Sequence, residues 1–168
     1  MTLTLFNWSE ELILDEMIKT EMYLDSKAIE LELFIRKPEA LPPYPTVLFN
    51  HGSSGRSRRK DGYRHPFIPP IEFIKLLNSW GWMVILPQRR GIGNSMGDYQ
   101  EGFCPEKQEY LCNTKYSVDG FRHAMEDMEH IVIHVMSRTD VEHNSFVVGG
   151  QSRGGALALA IVTYGKAA

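Results

Sequence analysis

From Ile29 to Arg36 the chain alternates, with Ile29, Leu31, Leu33 and Ile35 apolar and Glu30, Glu32 and Arg36 polar between them, Phe34 being the one break. Successive residues of a strand face opposite sides, so this pattern predicts a half-buried β-strand. Met17 to Leu24 is expected to pair with it as a hairpin turning at Asp25-Ser26-Lys27. Thr46-Val47-Leu48-Phe49 shows no alternation, which suits a central strand covered on both faces. Pro38, Pro42, Pro43 and Pro45 keep the stretch before it a loop, because proline has no N–H to give to a ladder. Trp82 to Leu86 and Phe146 to Val148 read as two further buried strands.

Helical spacing takes over between these runs. Pro69 and Pro70 open a helix that Gly81 closes, with Phe73, Leu77 and Trp80 on its inward stripe. From Asp119 to about Ser137, Phe121, Met125, Met128, Val132 and Val135 recur at helical intervals, and a last helix covers Ala156 to Val162. Between the second strand–helix unit and the long helix, Pro87 to about Lys115 reads as a long loop, of the kind that carries function in a compact domain. Hairpin, strand, helix, strand, helix, strand, helix predicts an α/β fold: a mostly parallel sheet with an N-terminal β-hairpin and helices on both faces, three layers in all. No internal repeat interrupts that order.

With 168 residues the chain is the size of a single domain, and 43% hydrophobic with 23% charged residues is ordinary globular composition. A net charge of −3 gives no overall pull toward nucleic acid or an anionic membrane, so a small molecule is the expected partner. Arg56, Arg58, Arg59, Lys60 and Arg64 crowd one loop, and Arg89 and Arg90 end a strand on the rim where such sheets bind ligands. A solvated charge run explains them more simply than an anion-selecting rim. Glu10, Glu11, Asp15 and Glu16 near the start are unlike a signal peptide, and no apolar run reaches the ~18 residues of a membrane span, so cytoplasm is the expected compartment. Cys104 and Cys112 fit neither a zinc site nor a disulfide framework and are expected as thiols. His130 and His134 stand at i and i+4, but the glutamate and third ligand of a zinc helix are lacking, so no metal is expected. No cofactor is expected either: Gly91 to Gly97 lacks the Gly-Lys-Ser/Thr ending of a phosphate loop, and Gly149 to Gly155 lacks dinucleotide-site spacing.

The chemistry concentrates at Gly150-Gln151-Ser152-Arg153-Gly154, which fits G-x-S-x-G, the tight strand-to-helix turn that lifts a serine hydroxyl above a sheet. Phe146 to Val148 supplies the strand before it, and the small residues Gly154, Gly155, Ala156, Ala158 and Ala160 supply a helix able to pack close after it. Asn50-His51-Gly52-Ser53 follows the first central strand, where the second donor of an oxyanion hole belongs. The backbone N–H groups of Ser53 and Arg153 are the candidate donors, with Ser152 the candidate nucleophile.

This order of strand, HGSSG, helix, strand, PQRRGIGNSMG, helix, strand and GGQSRGG resembles the α/β-hydrolase superfamily, nearest to dienelactone-hydrolase-like and prolyl-oligopeptidase-like members, over about residues 17 to 165. The resemblance implies a serine hydrolase acting on an ester, lactone or peptide bond, with an acid and a histidine following the nucleophile. No Asp, Glu or His follows Ser152. Residues 1 to 168 are therefore expected to be an incomplete hydrolase domain, inactive alone, because a serine hydroxyl needs an oriented base. The alternative is a non-catalytic interaction module that assembles through its last strand, Phe146 to Val148, an exposed edge that invites self-association.

Overall fold

The computed structural model describes residues 13–24, 26–53, 66–99, 101–104, 107, 109–110 and 113–164. In chain order the elements are β1 (Ile13–Leu24), β2 (Lys27–Arg36), β3 (Tyr44–Asn50), α1 (Ile71–Ser79), β4 (Met83–Gln88), β5 (Phe103–Cys104), β6 (Glu109–Tyr110), α2 (Thr114–Met136), β7 (Val141–Gly150) and α3 (Arg153–Tyr164). Five strands form one sheet in the order β1-β2-β4-β3-β7. The expected hairpin is present, and β2 also pairs antiparallel with β4, while β3 runs parallel to both β4 and β7. The sheet is thus mixed, with parallel pairing confined to the half that carries the strand–helix units.

Leu24 opposes Lys27, so the hairpin turns through two residues, and Ser26 takes the positive φ of 65° that such tight turns require. β1 starts four residues before the expected Met17, since pairing with β2 continues out to Ile13 opposite Arg36. In β2 the polarity alternates but the burial does not. Leu31 to Ile35 are all buried, including Glu32 and Phe34, because the second face is covered too. There Phe34 packs with Ile74 of α1 and with Val84 and Leu86 of β4, while Glu32 is held by the backbone N–H of Asn94 at 2.9 Å and its side-chain amide at 2.6 Å. The half-buried expectation fails because a carboxylate can be buried once donors meet it.

Helices cover both faces. The larger core lies on the side of α2 and α3, where Met128, Ile131, Val132, Val135 and Ile161 meet Leu31, Leu33, Ile35, Leu48 and Ile85 of the sheet. The smaller one lies under α1. Trp80, expected on the inward stripe of α1, is 63% exposed, since the helix ends at Ser79 and the stripe ends with it; Ile74 is the fully buried residue of that face. α2 begins five residues before the expected Asp119, where the Asn113 side chain accepts the Tyr116 N–H at 3.0 Å and so caps the first turn. The expected loop from Pro87 to Lys115 contains the short β5–β6 ladder, with Cys104 buried in it; Cys112 lies outside the described residues. β7 spans ten residues rather than the expected three and pairs only with β3 among the described strands, so it forms an edge as expected.

Candidate active site

The parallel register of β3 and β7 sets Asn50 beside Gly150, so both strands end together and their loops leave the same edge of the sheet. The Gln151 N–H donates to the Asn50 carbonyl at 3.0 Å and joins the two loops directly. Ser152 follows with φ 53°, exposed to solvent, and α3 starts at Arg153. A left-handed backbone at a non-glycine residue costs about 1–3 kcal/mol and persists only where its surroundings enforce it. Here they do. A Cβ on Gly150 would run into the backbone of Gly154, and one on Gly154 would run into the carbonyls of Asn50 and His51. The two glycines let the strand, the helix and the β3 loop close around the serine.

Gly52 completes the enclosure: a Cβ there would stand 3.3 Å from Ser152 Cβ and 3.3 Å from the Gln151 carbonyl oxygen. Ser53, a candidate donor, is the next residue and is half-buried; Arg153, the other, is the first residue of α3 and also half-buried. Because α3 starts at Arg153, its positive end lies directly after Ser152.

His51 is buried, and its ring is engaged at both nitrogens. Nδ1 lies 2.6 Å from the Gly52 carbonyl, which can only accept, so Nδ1 carries the proton; Nε2 then accepts the Arg89 backbone N–H at 3.4 Å. Burial foremost, and the nearby Arg89 charge, lower its pKa from 6.5 to about 3. It is a neutral structural imidazole rather than a base directed at Ser152.

Sequence reasoning missed what holds this loop. Arg89 is fully buried, with Nε at 2.5 Å and Nη2 at 2.9 Å from the two carboxylate oxygens of Glu101, Nη1 at 3.0 Å from the His51 carbonyl and Nη2 at 3.4 Å from that of Gly52. Glu101 in turn lies 3.8 Å from Nε of Arg153. Arg90 turns the other way, to Asp127 of α2, where its Nε donates to Oδ1 at 2.8 Å and its N–H to Oδ2 at 2.9 Å. Burial, the strongest influence, pushes the Asp127 carboxyl upward against the pull of Arg90. Arg89 and Arg90 are therefore neither a solvated run nor a substrate-selecting rim, as the paired carboxylates lie too far along the chain to be seen beside them. The doubly charged step directly after an apolar strand was the only signal. Arg56, Arg58, Arg59, Lys60 and Arg64 lie outside the described residues.

On α2, His123, His130 and His134 are partly buried, and His134 Nε2 pairs with Glu16 of β1 at 2.8 Å. Among the described residues no group of three or more His, Cys, Asp or Glu could hold a metal ion, and no helix is long and apolar enough to cross a membrane.

A mixed β-sheet whose parallel strands carry, at their C-terminal ends, a His-Gly loop against a strand–serine–helix turn is the N-terminal part of the α/β-hydrolase fold. Solved structures bear this out. An α/β hydrolase from Penicillium, GrgF, matches with a TM-score of 0.60 at 18% identity over 92% of this chain and 43% of its own. Acetyl xylan esterase 1 from Thermoanaerobacterium matches with a TM-score of 0.56 at 18% identity over 91% of this chain and 49% of its own. Dipeptidyl peptidase 4 from Porphyromonas gingivalis matches with a TM-score of 0.57 at 18% identity over 92% of this chain but 19% of its own. The chain thus spans less than half the length of these three proteins. No protein-family model and no curated protein matches the sequence.

Proposed function

We propose that this chain is the nucleophile-bearing part of a serine hydrolase that cleaves an ester, lactone or peptide bond. The observation that carries the reading is the left-handed Ser152, exposed between β7 and α3 with the Gly52 loop against it. In this reading Ser152 Oγ attacks the substrate carbonyl carbon and loses its proton to a base. The charge that develops on the carbonyl oxygen is taken up by the N–H groups of Ser53 and Arg153 and by the positive end of α3; one such donor is worth about 3 kcal/mol of barrier. His51 has both nitrogens committed and does not serve as the base. The acid and histidine come from polypeptide outside these 168 residues, on the same protein or a partner.

A fluorophosphonate probe with peptide mass spectrometry tests this. Ser152 is expected to label slowly in the purified chain and faster when lysate of the producing cells supplies the missing groups. Labelling that survives Ser152→Ala, or that never reaches Ser152 in either setting, would falsify it.

The β7 edge favours a second reading, a non-catalytic module that assembles through the sheet. Val147 on β7 is exposed on the α1 face of the sheet and Leu159, Val162 and Tyr164 are exposed on α3 across the other face, and among the described strands β7 has no partner on its outer edge. A discrete dimer or hetero-complex in light scattering, together with a Ser152 unreactive in lysate, would favour that module over the enzyme.

A further inference from the structure

A peptide group is planar and trans, so a carbonyl and the N–H that follows it point in opposite directions. The direction of the Ser53 N–H is therefore set by whatever holds the Gly52 carbonyl, and that of the Gly52 N–H by whatever holds the His51 carbonyl. Both carbonyls are held from the interior. Arg89 donates to His51 O at 3.0 Å and to Gly52 O at 3.4 Å, and the His51 ring donates to Gly52 O at 2.6 Å. Arg89 is fully buried whereas Ser152 is exposed, and a Cβ on Gly52 would stand 3.3 Å from Ser152 Cβ. Clamping the carbonyls inward turns the amides toward the opening above the serine.

We propose that Arg89 and Glu101 are positioning residues of the oxyanion hole, holding the Ser53 and Arg153 amides at one fixed separation. The proposal rests on the hydrolase reading given above. A loop built on Gly52 has little conformational preference of its own, so its peptide planes need an external hold. The planar guanidinium can grip a carboxylate and two carbonyls at once, which a lysine ammonium reproduces poorly. Glu101 neutralises the buried cation and, 3.8 Å from Arg153 Nε, ties the same grip to the residue that bears the second amide. One carboxylate thus links a loop after β3, the end of β4 and the start of α3, three segments distant in sequence.

Acetate, a minimal carboxylate, serves as the probe, read by its effect on the Ser53 and Arg153 amide signals in 15N–1H spectra of the purified chain. In the wild type both amides are expected to shift together along one binding curve. Arg89→Lys is expected to weaken that response about tenfold, the loss of one charge-assisted hydrogen bond, with Glu101→Gln intermediate. Arg90→Met breaks a comparable ion pair that does not touch the His51 or Gly52 carbonyls; it is expected to lower stability and leave the acetate response unchanged. Equal responses in all four proteins would overturn the positioning role while leaving the hydrolase reading intact. Loss of the fold in both Arg89→Lys and Glu101→Gln would make the cluster purely structural and overturn it as well. A wild type in which acetate moves neither amide would sink both readings together.

Discussion

At the residue scale the site depends on atoms that are missing. Gly154 lies so close to the carbonyls of Asn50 and His51 that a methyl group has no room, and those neighbours are backbone that cannot step aside. Gly154→Ala is expected to lose at least about 3 kcal/mol, the upper range for overpacking, measured by urea denaturation. A buried imidazole makes the second residue-scale prediction. His51 titrates at about 3 in the fold against 6.5 free. Between those values the unfolded chain binds a proton that the folded chain does not, so the stability is whole above about pH 6.5 and falls as pH drops, by up to roughly 1.4 kcal/mol per unit. Urea midpoints measured from neutral pH down toward about pH 4 should show this slope, and His51→Asn, which keeps a donor for the Gly52 carbonyl, should flatten it. An unchanged slope in that variant would assign the acid sensitivity to the carboxylates instead.

At the element scale, what was legible was periodicity, and what was not was how each element ends. The run Met125, Met128, Val132, Val135 located α2 correctly, because a 3.6-residue repeat survives any tertiary setting. Its true start needed the Asn113 cap, a single side chain six residues ahead of the expected boundary. Asn113→Ala is expected to cost about 1 kcal/mol, read as a lower thermal midpoint with the helical signal otherwise retained. β7 was read as three residues since only Phe146 to Val148 is apolar throughout. Its first half starts at the buried Val141, but Glu142 to Ser145 is polar because an edge strand presents water on one side.

At the scale of the whole molecule, the sheet is finished on one side of the site and open on the other. β3 and β4 are enclosed between α1 and the α2–α3 layer, whereas β7 has a single described neighbour and α3 leaves Leu159 72% and Tyr164 80% exposed. A row of unpaired strand groups beside an apolar helix face draws in other chains. The purified chain is therefore expected to associate in a concentration-dependent way, and Val147→Lys with Leu159→Glu to shift it toward monomer in light scattering without changing its circular dichroism. A wild-type chain that stays monomeric at high concentration would show that this face needs no cover.

The sequence by itself determined the order of the five main-sheet strands and three helices, though not the short β5–β6 ladder, together with the turn at Ser152 and the His51–Gly52 loop, because each is written in a short window of spacing, glycine and β-branched residues. Only the tertiary structure decided which strands lie side by side beyond the hairpin, that Glu32 is buried with its donors, and that Arg89 grips the loop and Glu101 together. Those pairings join residues 12, 38 or 62 positions apart. No local pattern encodes a partner that far away; it is chosen by how the sheet registers and by the cost of leaving a charge alone in the interior.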